Sequence, residues 1–122
     1  MNVKIKESSL TLSKKEKMMY CDGEFAQKMD DLLQAPDDRL VIHPKDYILL
    51  EIETEDGSSF EKVVVLDKDG SAYTTSSKAF IERFIDIFKD LQADEVEFEY
   101  TAMKRPSTNF KGKFYITGKI TG

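Results

Sequence analysis

The sequence predicts a single α+β domain, mainly β, in which an N-terminal arm precedes five strands and one helix. Three observations carry that prediction. Apolar spacing changes from helical intervals to a period of two after about residue 38, one amphipathic helix interrupts the strands, and turn-forming pairs punctuate the β segments. A chain of 122 residues holds one hydrophobic core and is too short for two ordinary domains. With 40% hydrophobic and 34% charged residues and no low-complexity tract, it has the composition of a chain that folds alone.

The arm, residues 1–38, reads as helical or irregular. Ser13-Lys14-Lys15-Glu16 has capping-box spacing, and Phe25, Met29, Leu32 and Leu33 fall at helical intervals. Ala35-Pro36-Asp37-Asp38 closes it, because proline disfavours helix at the residue before it. Residues 39–122 then form the β unit. Leu40, Val41 and Ile42 suit a short strand ahead of Pro44. Tyr47 to Glu53 alternates, with Ile48, Leu50 and Ile52 on one face and Tyr47, Glu51 and Glu53 on the other. Glu55-Asp56-Gly57-Ser58 is a turn. Phe60 to Leu66 is a β-branched run expected to be buried on both faces, and Asp69-Gly70 predicts a tight hairpin turn into Ser71 to Thr74.

Ser76 or Ser77 is placed to cap a helix running to about Leu91, whose apolar stripe is Phe80, Phe84, Ile87, Phe88 and Leu91. Val96, Phe98 and Tyr100 then alternate with Glu95, Glu97 and Glu99. Phe114, Ile116 and Ile120 alternate with Lys113, Tyr115, Thr117 and Lys119. These predict two last strands joined by a loop through Arg105-Pro106-Ser107-Thr108-Asn109. Three strands, a helix and two strands is the element order of the five-stranded OB barrel, with its helix between strands three and four. The expected architecture is therefore an OB-like barrel with an N-terminal extension. Such barrels bind oligonucleotides on strands two and three and on the loops between strands one and two and strands four and five.

The same residues argue against catalysis. His43, the single histidine, stands beside Pro44 at a strand end with no serine, cysteine or carboxylate motif around it. Cys21 is the single cysteine, so it has no thiol partner for a disulfide or a zinc site, and it reads as a free thiol in or near the core. Asp67-Lys68-Asp69-Gly70 lacks the glycine and glutamate of a calcium loop, since Ala72 and Lys78 stand at those positions. The glycines are scattered and make no phosphate loop. No enzyme, metal or cofactor is expected. No apolar run approaches bilayer length and no signal-like stretch follows Met1, so a cytoplasmic protein is expected.

Charge is the informative feature. The net charge is −5, yet Ala102 to Gly122 carries Lys104, Arg105, Lys111, Lys113 and Lys119 and no carboxylate, which leaves −10 on residues 1–101. Glu95, Glu97 and Glu99 could neutralise part of that row if the last strands pair about their loop, with Glu99 near Lys113 and Glu97 near Tyr115 or Lys113. Lys104, Arg105 and Lys111, read as loop residues, are the leading phosphate contacts. Tyr73, Phe110 and Tyr115 interleave with them as stacking rings. Phe110 reads equally as a hairpin anchor and Tyr73 as a core residue.

The stretch from Val63 to Phe80, Val63-Val64-Val65-Leu66-Asp67-Lys68-Asp69-Gly70-Ser71-Ala72-Tyr73-Thr74-Thr75-Ser76-Ser77-Lys78-Ala79-Phe80, resembles the central signature of small single-stranded-DNA-binding proteins of phages and conjugative elements. There an apolar strand runs into a D-G turn, a tyrosine, a T-x-S-K-x-F segment and a helix. The resemblance implies an OB-like protein that coats and protects exposed single strands during replication or transfer without catalysis, and the contacts it implies are Tyr73, Lys78 and the basic hairpin from Lys104 to Ile120. The chain departs from it in lacking tryptophan and an acidic C-terminal tail, and in having an acidic loop at Glu53 to Ser59. The expected function is sequence-tolerant binding of single-stranded DNA, with RNA as an alternative ligand, by Tyr73, Lys78, Lys104, Arg105, Phe110, Lys111, Lys113 and Tyr115. Homo-oligomers and replication proteins are the further partners considered. The rival expectation is a phage-encoded interaction module, an inhibitor or adaptor, that engages a basic protein through its acidic surface.

Overall fold

The computed structural model describes residues 2–9, 26–108 and 112–122, together with Lys15 and Met19. Of the residues singled out above, Ser13, Lys14, Glu16, Cys21, Phe25, Asn109, Phe110 and Lys111 lie outside the described residues. The elements follow the order β1 (Asn2–Ser8), β2 (Gln27–Lys28), α1 (Met29–Leu32), β3 (Arg39–Ile42), β4 (Pro44–Glu53), β5 (Ser59–Asp67), β6 (Ala72–Thr75), α2 (Lys78–Ala93), β7 (Tyr100–Pro106) and β8 (Phe114–Ile120). Among the described residues no helix is long and apolar enough to cross a membrane.

The fold is α+β, with two sheets. One has the order β1-β4-β5-β6-β2 and the other the order β3-β7-β8. All ladders are antiparallel except β2 with β6. Only His43 separates β3 from β4, so one bent strand path serves both sheets. The predicted meander is present as β4, β5 and β6. Its second turn carries Gly70 at φ +93°, a left-handed conformation that favours glycine. Asp67 closes this corner by accepting from the backbone N–H of His43 and of Asp69.

From Val63 onward β5 is buried on both faces, as its β-branched run predicts, whereas Phe60 at the start of that run is 43% exposed and Glu61 and Lys62 are half-buried. Val63 and Val65 join the main core, while Val64 and Leu66 join a second cluster with Ile48, Leu50 and Ala72. The main core is organised by the stripe of α2. Phe80, Phe84 and Phe88 are buried against Tyr47 and Tyr100, with Phe84 edge-on to Tyr100 at 5.2 Å and Tyr47 edge-on to Phe88 at 5.2 Å between ring centres. Tyr100 is fully buried and its hydroxyl finds no hydrogen-bond partner. Burial pushes that phenol up to about 12. Gly118, its neighbour on β8, must lack a side chain: a Cβ there would sit 2.3 Å from Tyr100 Cε1.

Several expectations are corrected. No ladder closes the five strands into a barrel among the described residues, because the edge of β6 away from β5 is taken by Gln27 and Lys28 of the arm, paired with Tyr73 and Thr74. β8 meets this region through a side chain: Ser77 Oγ donates to the Ile116 carbonyl at 2.5 Å. That bond diverts Ser77, so α2 starts near the predicted place without a side-chain cap. The predicted strand from Val96 to Tyr100 lies further along, at Tyr100–Pro106. Glu95 adopts φ +57° and the Val96 N–H returns to the Leu91 carbonyl, which spends residues 95–99 on leaving the helix. Lys104 and Arg105 are therefore strand residues. The arm also holds an unpredicted strand, β1, which pairs with β4 along its length. β1 is clasped to α2, since Glu7 accepts from the Tyr47 hydroxyl and lies 2.6 Å from Lys89 Nζ.

Candidate nucleic-acid interface

The three-stranded sheet has one face in the core, while its other face is exposed at the margins and covered at its middle, where the Arg105 guanidinium lies 3.3 Å from Met103 Sδ. Leu40, Ile42, Tyr100, Ala102 and Ile116 point into the main core. Alternation then turns Arg39, Val41, Thr101, Met103, Arg105, Tyr115, Thr117 and Lys119 outward. The register sets Arg39 opposite Met103, Val41 opposite Thr101, Thr101 opposite Lys119 and Arg105 directly opposite Tyr115. Met103 and Thr101 are buried at the middle of this face, while Arg39, Arg105 and Lys119 around them are exposed. Tyr115 is 41% exposed, so part of its side chain is accessible to a ligand.

The carboxylate at the rim of this face is Glu99, and it is engaged. Its Oε2 accepts from Thr121 Oγ1 at 2.5 Å and its Oε1 lies 3.5 Å from His43 Nε2. Thr121 in turn shares a 2.7 Å hydroxyl contact with Thr101. The expected neutralisation of the lysine row by strand glutamates is absent among the described residues. Lys119 stands opposite Thr101, and Glu97 instead pairs with Lys68 at 2.7 Å, which holds its carboxyl below the usual range.

The predicted site residues separate. Arg105 and Tyr115 come together on the outward face, and Lys113, exposed, immediately precedes β8. Lys104 lies on the other face of β7, half-buried, with Nζ 3.4 Å from the Gln34 carbonyl and 5.2 Å from the centre of the Phe114 ring. Tyr73 is half-buried against the main core, opposite Val65, so its core alternative describes its place. Lys78 opens α2 with an exposed side chain, 3.9 Å from Glu82. Phe110 and Lys111 lie outside the described residues. Arg39 and Lys119 belong to the cationic face although neither was singled out as a contact. The alternation of Arg39 and Val41 with Leu40 and Ile42 is the signal that marks Arg39, but its partner strand could not be read from it.

The acidic turn between β4 and β5 is occupied with itself. Asp56 accepts from the Ser58 hydroxyl and backbone N–H and from the Thr54 hydroxyl, and these bonds pull its carboxyl down to about 2. Among the described residues no group of histidine, cysteine and carboxylate side chains is placed to hold a metal ion. No family model matches the sequence, and no curated protein or solved structure matches it either.

Proposed function

We propose that this chain is a sequence-tolerant single-stranded-DNA-binding protein whose contact surface is the outward face of β3, β7 and β8. The observation that carries the reading is the pairing of Arg105 with the part-exposed Tyr115 side chain, in a field that also holds Arg39, Lys119 and Lys113. A base stacked on the phenol gains about 1 to 3 kcal/mol without being read for sequence, and the cations around it meet the flanking phosphates. Stacking needs an unpaired base. The acidic remainder of the chain repels a duplex that lacks that compensation.

The scaffold reading that goes with this function is OB-like. In its favour stand the bent path of β3 and β4 that serves both sheets, the helix between β6 and β7, and the Ser77 bridge from the end of β6 to β8. The usual ligand strands of such a barrel correspond to β5 and β6, but the outer side of β5 is already covered, with Val64 1% exposed. That burial favours the β3-β7-β8 face. The role that fits is coating and protecting exposed strands in phage or mobile-element replication.

Tyrosine fluorescence tests it, because the chain has five tyrosines and no tryptophan. Adding an oligothymidine in dilute buffer is expected to quench the signal, with a slope of log affinity against log salt of about −3 if four cations meet phosphates. Arg105→Glu is expected to weaken the response and flatten that slope, and an oligouridine titration compares RNA directly. A chain indifferent to unpaired oligomers at low salt would overturn the reading.

A further inference from the structure

The cationic face ends in a row whose charge differs from the rest. β3, β7 and β8 contain no carboxylate. Their outward rows run from Arg105 beside Tyr115, through Arg39, Met103 and Thr117, to Val41, Thr101 and Lys119. Beyond the last paired residues, Ile42 with Tyr100 and Tyr100 with Ile120, the same register brings His43 and Thr121 to either side of Glu99. The backbone holds this continuation, because the Thr121 N–H donates to the Glu99 carbonyl at 2.9 Å. The side chains meet as well. Glu99 Oε1 lies 3.5 Å from His43 Nε2, and Glu99 Oε2 accepts from Thr121 Oγ1.

The row therefore sets a carboxylate at the end of a face that otherwise collects cations, with the single histidine of the chain against it. Imidazole is the side chain whose ordinary titration falls between about pH 5 and 8. That of His43 is 55% exposed, so it exchanges protons freely with water. The groups around it favour its charged form. Besides Glu99, Asp67 accepts from the His43 backbone N–H at 2.9 Å. The Asp69 carboxyl is held down chiefly by the Ser71 backbone N–H and to a smaller degree by the imidazole. The ammonium of Lys68, whose backbone N–H meets the His43 carbonyl, is spent on Glu97. Without a proton on His43 the row carries the uncompensated charge of Glu99, and with one the pair is neutral.

We infer that His43 and Glu99 form a proton-sensitive element of the nucleic-acid face: neutral His43 leaves Glu99 to repel the phosphate chain beside Lys119, and charged His43 cancels that repulsion and strengthens the grip on the strand. The inference rests on the nucleic-acid reading of this face and specifies how the same site is regulated. Lys119 stands one row away, about 7 Å along the strands. At that separation in water, one unit charge changes the interaction with a phosphate by a factor of about three. Linkage makes the effect reciprocal, so a bound strand favours the charged imidazole to the same extent.

The test is oligothymidine affinity of the full chain at low salt, read by tyrosine quenching at about pH 7.5 and about pH 5.5, with the imidazole proton shifts followed in the free and the oligothymidine-saturated chain. The parent chain is expected to bind about threefold more tightly at the lower pH, and its imidazole to titrate at higher pH when saturated. His43→Gln should lose the step between the two pH values. Glu99→Gln keeps an acceptor for Thr121 and should bind more tightly than the parent at the higher pH. The imidazole shifts use the parent chain alone, so that readout does not depend on either variant folding. Binding without a pH step, a step that survives in His43→Gln, Glu99→Gln binding no more tightly than the parent, or an imidazole titration unmoved by saturation would each overturn the inference and leave the nucleic-acid face standing. Absence of quenching at both pH values would instead overturn that face, and this element with it.

Discussion

The two sheets have opposite outer faces. Away from the main core, the five-stranded sheet carries Ile48, Leu50, Val64 and Leu66, all buried, with Ile5 and Ala26 packed against them. The three-stranded sheet carries Arg39, Arg105, Lys119 and Tyr115, all exposed. A sheet with both faces apolar is a structural layer, and its side chains are needed for folding. A sheet with one apolar and one cationic face has side chains left over for binding. The difference is what favours the smaller sheet as the proposed contact surface, although the most recognisable strand, β5, lies in the larger one.

Charge insertion should break that contrast most sharply. Val64→Lys puts an ammonium into the apolar cluster of Ile48, Leu50, Leu66 and Ala72, where the side chain is 1% exposed, and a loss of several kcal/mol in urea unfolding is expected. Val41→Lys, on the outward face where the side chain is 47% exposed, should leave stability within about 0.5 kcal/mol and tighten binding to oligothymidine. Equal stability losses would show that the two faces are not different in kind.

The next effect comes from the back of the cationic face, where β8 passes over Tyr100. Gly118→Ala forces its new methyl into the Tyr100 ring and should cost about 1 to 3 kcal/mol of stability. Tyr100→Phe removes a buried hydroxyl that has no partner and is expected to be neutral or stabilising, the reverse of the usual result for a fully buried tyrosine. Chemical denaturation of the two variants beside the parent chain separates ring packing from the hydroxyl.

How much of this was legible in the sequence follows from what each signal depends on. β5, the Asp69-Gly70 turn and the stripe of α2 are local patterns, and they stand where the residues place them. β7 was misplaced because Glu95 to Tyr100 alternates like a strand, while alternation does not say whether a partner strand is beside it. β1 has the same local signal, Val3 and Ile5 between lysines, but its meaning comes from pairing with β4 more than forty residues away. The cationic face combines both cases. Basic residues near the C-terminus were visible, whereas Arg39 joins them only through the register of β3 on β7. The same register removes Lys104, since one residue along a strand is the other side of the sheet.

On the open face, Tyr115→Ala should lower affinity for oligothymidine by about 1 to 3 kcal/mol and leave unfolding nearly unchanged, because the ring is half in solvent. A loss of stability with unchanged affinity would move Tyr115 from the interface to the core.

The smallest effect expected concerns the clasp that holds β1 to the buried sheet. Glu7 is held below the usual carboxylate range, first by its bond from Lys89 and then by the Tyr47 hydroxyl. A carboxylate whose folded value is depressed contributes stability above its unfolded value, and that contribution is lost as the pH falls through the folded one. Acidification from neutral to about pH 3 should therefore lower the melting temperature partly through Glu7, and Glu7→Gln should flatten that part of the profile. Asp46 works against it. Burial raises that carboxyl although Ser9 donates to it, so protonation there favours the folded chain as the pH falls. The acid limb of Glu7→Gln should then be shallower than that of the parent, and that of Asp46→Asn steeper. Both carboxylates belong to the five-stranded sheet and its arm, so neither change should alter oligothymidine affinity at neutral pH, and a shift in that affinity would mean that the two faces are coupled.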